Sequence, residues 1–204
     1  MKKIGLIGGT FDPIHLGHLI LAEQARDGAD LEKVIFMPAK MSPFKTEQRS
    51  VSERHRYSMA SLAIGGNPGF EVSDMEICGP EISYTIYTLE ACQRRLGEEY
   101  QVYFICGTDA FLGMENWRNM EALLRNFPLI VGSRPRYRDR ARDEMIRRFT
   151  AEYGARIQKV HMPKIDISSS DIKKRISEGR SIRYLLPEAV ADYIESNGLY
   201  SFDA

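Results

Sequence analysis

The sequence predicts an α/β chain built on a mainly parallel sheet, and three observations lead there. Short strand-like apolar runs alternate with helical stretches along the whole chain. No repeat, low-complexity tract or linker divides it into two cores. Its 204 residues, 43% hydrophobic and 27% charged, have ordinary globular composition and suffice for one large core. We therefore read one domain over 1–204, with a helical C-terminal part from about 168.

The elements follow in order. KKIGLIG, at the start, reads as a short buried strand, and HLGHLILAEQAR after it has helical content and no proline. KVIFMP is a second strand closed by Pro38, followed by the polar loop AKMSPFKTEQRS. SERHRYSMASLAIGG is helical, opened by Ser52 and stopped by two glycines. FEVSD is a third strand. In SYTIYTLEACQRRLG, Ile86, Leu89 and Leu96 share one helical face and Gly97 lies beyond the end. QVYFICG and FPLIVGSRP are the fourth and fifth strands. RDEMIRRFTAEYG carries a helical stripe of Met145, Ile146, Phe149 and Tyr153, and the half-polar RIQKVHMP is a sixth strand. One helix starts at the serines of 168–170; a last one starts at Pro187 and stops near Asn197-Gly198.

Totals narrow the function classes. Lys+Arg and Asp+Glu both number 28, so the net charge is zero, without the basic excess usual in nucleic-acid binders. Cys78, Cys92 and Cys106 are odd in number and widely spaced, which indicates neither a zinc knuckle nor a disulfide framework; Cys106, in an apolar run, reads as core. No signal-peptide pattern and no 18-residue apolar stretch occurs, so the expectation is a cytoplasmic protein with no membrane partner.

The chemistry concentrates in GLIGGTFDPIHLGH, residues 5–18. In parallel sheets ligands bind beyond the carboxyl ends of the strands, and this loop follows the first one. Gly8 and Gly9 let a ligand approach the backbone. Asp12-Pro13 is a turn signal, and Gly17-His18 opens a helix whose free N–H groups favour an anion. The stretch contains neither a P-loop nor a G-x-G-x-x-G fingerprint. His15 and His18 leave three readings: a metal site, a phosphate site, or structural histidines. Only His55 and His161 remain as further histidines, both outside ligand spacing, so no metal site is assigned; the glycines and the helix start favour phosphate. Imidazole donors to a phosphoryl group suit a transfer reaction that needs mainly positioning and charge stabilisation.

GGTFDPIHLGH resembles the H-x-G-H signature of the nucleotidyltransferase superfamily, and ISSSDIK, at 167–173, resembles its I-S-S-T-x-x-R signature. SYTIYTL, FICGTDAF with Trp117 after it, and SIRYLLPEAVADYI extend the likeness, over essentially the whole chain, to bacterial nicotinate-nucleotide adenylyltransferases. The resemblance implies a Rossmann-like, doubly wound sheet. It implies adenylyl transfer from ATP, with Mg²⁺, to nicotinate mononucleotide, releasing pyrophosphate. Catalysis falls by resemblance to His15, His18 and Lys45. ATP would meet Gly8, Gly9, Thr10, Phe11, Gly107 and Asp109 as well as the histidines, with Ser168, Ser169 and Lys173 on its phosphates; Arg134, nearest the end of the fifth strand in a basic run, is a further candidate for the triphosphate on its charge alone. Thr85 and Trp117 would bind the mononucleotide, the indole stacking on the pyridine ring. The serine run also offers, on its own physics, hydroxyls, a cap and helix N–H groups together.

Four positions depart from the family pattern. Phe44 stands where histidine is common, Gly79 where arginine is, Ser170 for threonine, and Lys173 for arginine, which keeps the charge but loses the bidentate fork. The run RPRYRDRARDEMIRR, seven arginines against three acids, reads beyond Arg134 as a solvated helix face. Rival readings are a related transferase with another acceptor such as phosphopantetheine, and a non-catalytic nucleotide-binding paralogue; the intact HLGH speaks against the latter.

Overall fold

Six parallel strands form one sheet in the order β3-β2-β1-β4-β5-β6. The computed structural model describes residues 1–43, 50–132, 139–163 and 165–201, with the helix position but not the side chain of residue 139. The strands are β1 (Lys2–Gly9), β2 (Lys33–Pro38), β3 (Phe70–Val72), β4 (Tyr100–Gly107), β5 (Leu129–Gly132) and β6 (Ile157–Val160). From β1 the chain winds outward through β2 and β3, then crosses back to β4 and winds the other way through β5 and β6. This is the doubly wound arrangement the resemblance implies, and its switch point lies between β1 and β4.

The central strands β1, β2, β4 and β5 carry apolar residues on both faces, as a sheet covered on both sides requires. Alternation assigns them: Ile7, Val34, Phe36, Ile105 and Ile130 join one buried cluster, while Ile4, Leu6, Ile35, Met37, Phe104, Leu129 and Val131 join the other. The first cluster is covered by α1 (Leu16–Gly28), α2 (Glu53–Ala63), α7 (Ser169–Ser177) and α8 (Glu188–Ser196), through residues such as Ala22, Met59, Ile172 and Val190. The second is covered by α3 (Thr85–Leu96), α5 (Met120–Asn126) and α6 (Asp139–Tyr153), through Leu89, Leu124 and Phe149. The C-terminal helices thus pack on the same sheet face as α1 and α2.

Three readings change. α6 begins at Asp139, earlier than its apolar stripe, because its first turn is polar. β3 shrinks to an edge strand that pairs only along Val34–Phe36. Between β4 and β5 the chain forms α4 (Thr108–Leu112), a 3₁₀ turn (Met114–Asn116) and α5, none of which was predicted. These are five, three and seven residues long, too short to establish a period.

Candidate active site

A cleft of about 600 Å³ opens at the switch point. Gly8, Gly9, Thr10 and His18 line one side, Gly107 and Asp109 the end of β4, and Ser83, Tyr84, Thr85, Trp117 and Arg118 the far wall. A Cβ on Gly8 or Gly107 would meet nothing within 4 Å. Neither has the positive φ that demands glycine, so what these positions leave open is space at the strand ends.

The spacing of HLGH is explained by a helix cap. His15 is the extended N-cap of α1 and His18 is its third helical residue. The His15 backbone N–H donates to His18 Nδ1 at 3.2 Å, the side-chain-to-cap bond of a capping box. That bond requires an unprotonated Nδ1, so the neutral ring carries its proton on Nε2. The two rings stack at 3.7 Å between centroids, and Phe11 meets His18 edge-on at 5.1 Å. Gly17 makes room for the stack, since a Cβ there would stand 3.0 Å from His15 Nδ1. His15 is buried behind His18, and Phe11 is buried against Phe36; neither side chain lines the cleft.

The two distant signatures meet. Ser169 Oγ donates to the Pro13 carbonyl at 2.9 Å, and Lys173 Nζ pairs with Asp12 Oδ2 at 2.9 Å. Ser168 is the N-cap of α7, its hydroxyl oxygen accepting from the Asp171 N–H. The N-termini of α1 and α7 therefore flank one loop, although their sequences are some 150 residues apart. The Ser169 proton is spent on Pro13, and the Lys173 ammonium faces Asp12; both groups stand beside the cleft wall rather than in it. Lys45 and Arg134, with Phe44, lie outside the described residues.

Thr85 opens α3 on the far wall, with Tyr84 as N-cap. Trp117 is half-buried and packs edge-on against Phe104 at 5.7 Å. Exposed Arg118 donates to the Tyr87 hydroxyl at 3.2 Å and lies over the Tyr84 ring at 5.1 Å. Glu76, also on the cleft, accepts from Thr88 Oγ1 at 2.5 Å. Burial pushes its carboxyl above the usual range, and hydroxyl bonds from Thr88 and Ser83 offset this only in part. Gly79 is tightly seated, a Cβ there standing 2.9 Å from the Met75 carbonyl, so an arginine would need a different loop path. Cys106 is core as predicted but also touches the cleft, and burial pushes its thiol up to about 12. Among the described residues no group of three or more His, Cys, Asp and Glu is placed to hold a metal ion, and no helix is long and apolar enough to cross a membrane.

Sequence reading missed Arg56, which is fully buried. Its guanidinium donates to the carbonyls of Thr10 (2.9 Å), Ala39 (2.5 Å), Lys40 (2.9 Å) and Val51 (3.2 Å), tying the loop after β1 to the loop after β2 and the entry to α2. The signal was available: Arg56 shares the buried face of α2 with Met59, Ala60 and Ala63, and a cation on an apolar stripe needs partners.

Comparison with known proteins agrees with this geometry. A family model described as cytidylyltransferase-like matches residues 6–175. A "probable nicotinate-nucleotide adenylyltransferase" of Thermoanaerobacter sp. (strain X514) is 42% identical over 201 residues, covering 98% of this chain and 95% of its own length. One of Moorella thermoacetica is 42% identical over 198 residues, covering 97% and 91%. The solved structure of Plasmodium falciparum nicotinic acid mononucleotide adenylyltransferase complexed with NaAD shares the fold, with a TM-score of 0.82 at 20% identity over 100% of this chain and 99% of that one.

Proposed function

This chain belongs to the nicotinate-nucleotide adenylyltransferase family, and on that premise we propose how its own residues transfer an adenylyl group from ATP to nicotinate mononucleotide. A phosphate oxygen of the mononucleotide attacks the α-phosphorus of ATP in line. The new P–O bond forms as the bond from the α-phosphorus to the bridging oxygen breaks, and pyrophosphate leaves with the electron pair. The product is nicotinate adenine dinucleotide. Positioning and charge stabilisation suffice, and no side chain need act as nucleophile.

The adenosine end lies over Gly8, Gly9, Gly107 and Asp109, where bare strand ends admit a ligand against the backbone. The triphosphate runs toward α1 and α7. There His18, whose cap bond at Nδ1 sets the proton on Nε2, directs that N–H to the charge that grows as pyrophosphate departs. His15 fixes the ring of His18 from behind. The α7 N-terminus, capped by Ser168, adds backbone N–H groups and the Ser168 hydroxyl proton. Ser169 contributes its position against Pro13 and its backbone N–H. Lys173 adds positive charge to this end; Lys45 is assigned there by family likeness, and Arg134 by its place in the sequence just after β5. Mg²⁺ enters as part of the MgATP substrate, held chiefly by phosphates and water as is usual for this ion.

The acceptor lies along the far wall. Trp117 stacks on the pyridine ring, and the N-terminus of α3 at Thr85 favours a negative group, which suits a carboxylate over a carboxamide. What supports the whole reading most is the meeting of HLGH and ISSSDIK across the Asp12-Pro13 turn at the sheet's switch point. The test is pyrophosphate release from MgATP with nicotinate mononucleotide, nicotinamide mononucleotide or phosphopantetheine. Release is expected with the nicotinate form, more slowly with the amide, and not with phosphopantetheine. Release with phosphopantetheine alone, or with no acceptor, overturns the assignment.

A further inference from the structure

The Asp12 carboxylate is buried in the loop between β1 and α1, which the N-termini of α1 and α7 flank. Donors from three other segments converge on it: Lys173 Nζ at 2.9 Å, the Val51 N–H at 3.4 Å, and the Tyr200 hydroxyl at 2.8 Å. Tyr200 follows α8 near the end of the chain, 188 residues from Asp12. Its ring packs on the core cluster of α1 and α2, and Lys173 Nζ stands 6.0 Å from its centroid. Burial pushes the guanidinium of Arg56, which holds the Thr10 carbonyl at the same turn, below its ordinary range, and the Asp12 charge is the largest influence opposing that. Phe11, between the two, has φ 49, a left-handed conformation that a bulky residue keeps only where its surroundings impose it.

We propose that Tyr200 is a positioning residue for the ATP-phosphate end, acting through Asp12. Neither Tyr200 nor Asp12 lines the cleft, so neither needs to touch substrate. The hydroxyl occupies Oδ1 and leaves Oδ2 to Lys173, which fixes the carboxylate's orientation and with it the ammonium. Without it Oδ1 keeps only the longer Val51 bond; the carboxylate turns, Lys173 follows, and the 10–12 turn between Gly9 and His15 loses a restraint. The consequence falls on ATP, because the donors that reach the Asp12 carboxylate come from residues 51, 173 and 200, and not from α3 or the 116–119 segment of the acceptor wall.

The inference rests on the proposed location of the phosphates, and the experiment separates the two. Tyr200→Phe removes one oxygen and keeps the ring. We expect KM for ATP, and the ATP dissociation constant measured by calorimetry, to rise about five-fold, with KM for nicotinate mononucleotide within two-fold of the parent. In an Asp12→Asn background, where the charge the hydroxyl orients is gone, the same change should shift ATP affinity by less than two-fold. On the unmutated protein, a non-hydrolysable ATP analogue should slow amide hydrogen exchange at 199–201, a readout independent of how the variants fold. An ATP KM within two-fold of the parent, equal rises for both substrates, an undiminished effect beside Asp12→Asn, or unchanged exchange at 199–201 overturns the proposal. His18→Ala and Ser168→Ala serve as references: if they respond and Tyr200→Phe does not, only this inference fails, and if they too are silent, the phosphate assignment fails with it.

Discussion

At the end of the cleft proposed for the phosphates, polar groups are held by other protein groups: His18 by a backbone N–H, Ser169 by a carbonyl, Lys173 and Tyr200 by Asp12, Arg56 by four carbonyls. At the end proposed for the acceptor, half-buried Trp117 rests edge-on against Phe104, and exposed Arg118 leans on two tyrosines. The first end is a rigid array of donors, the second an aromatic wall at a helix start. The difference matches the two tasks. Charge developing in a transition state is stabilised most by dipoles that need not reorganise, whereas a planar ring is recognised by an aromatic face that stacks on it.

Replacing His18 tests the rigid end and carries the largest expected effect. Loss of one preorganised donor lowers turnover by roughly 10²–10³, so His18→Ala should reduce kcat by that order with little change in KM for the mononucleotide. The same change removes a capping acceptor, worth ~1 kcal/mol of stability. His18→Asn separates the two roles, because an amide oxygen can still accept from the His15 N–H while Nε2–H is gone. Thermal melting should then stay near the parent while pyrophosphate release stays low. Parental kcat in either variant removes His18 from the transition state.

Trp117→Ala probes the aromatic end and should act on binding. Aromatic stacking contributes about 0.5–1.5 kcal/mol beyond buried area, so KM for the mononucleotide should rise roughly 2- to 10-fold while KM for ATP holds. A fall in kcat with both KM values unchanged would mean that this end too is built for the transition state, and the contrast between the two would collapse.

What could be read in the sequence divides along related lines. The alternation of strands and helices was legible because both faces of the central sheet are buried, so β1, β2, β4 and β5 carry largely apolar runs, whereas the outer β3 and β6 are short and partly polar. HLGH was legible as a helix start because glycine and helix-start signals are local. The Asp12 network was not: Lys173, Val51 and Tyr200 lie far from Asp12 in sequence, and nothing along the chain states that they share a carboxylate. Lys173, read as a phosphate cation, therefore appeared without its partner. Arg56 was visible only as an anomaly, a cation on the buried stripe of α2. The segment from 108 to 126 hid its helices because each is shorter than the window a period needs.

Glu76 gives the smallest effect and the finest cut between the two ends. Its carboxyl lies on the cleft and is raised by burial. A carboxyl whose folded value lies above its unfolded one contributes its full stability below the ordinary carboxylate range, and that contribution is lost as pH rises through the folded value. Glu76→Gln keeps an oxygen to accept from Thr88 and removes the ionisation. Because the side chain is only half-buried and solvent screens it, the gain at neutral pH should be of order 0.5 kcal/mol, seen as a melting temperature about 1–2 °C higher and shrinking as the pH falls into the carboxylate range. A variant less stable than the parent at pH 7 would show that the charge itself is needed, with Arg56, the cation that lowers the carboxyl, as the group that needs it. The kinetic expectation follows from the wall Glu76 shares with Thr85: removing a negative charge there should lower KM for the anionic nicotinate acceptor, leave it unchanged for the nicotinamide form, and leave KM for ATP alone. A shift in ATP affinity instead would mean that the two ends are electrostatically one site, with Arg56 as the charge between them.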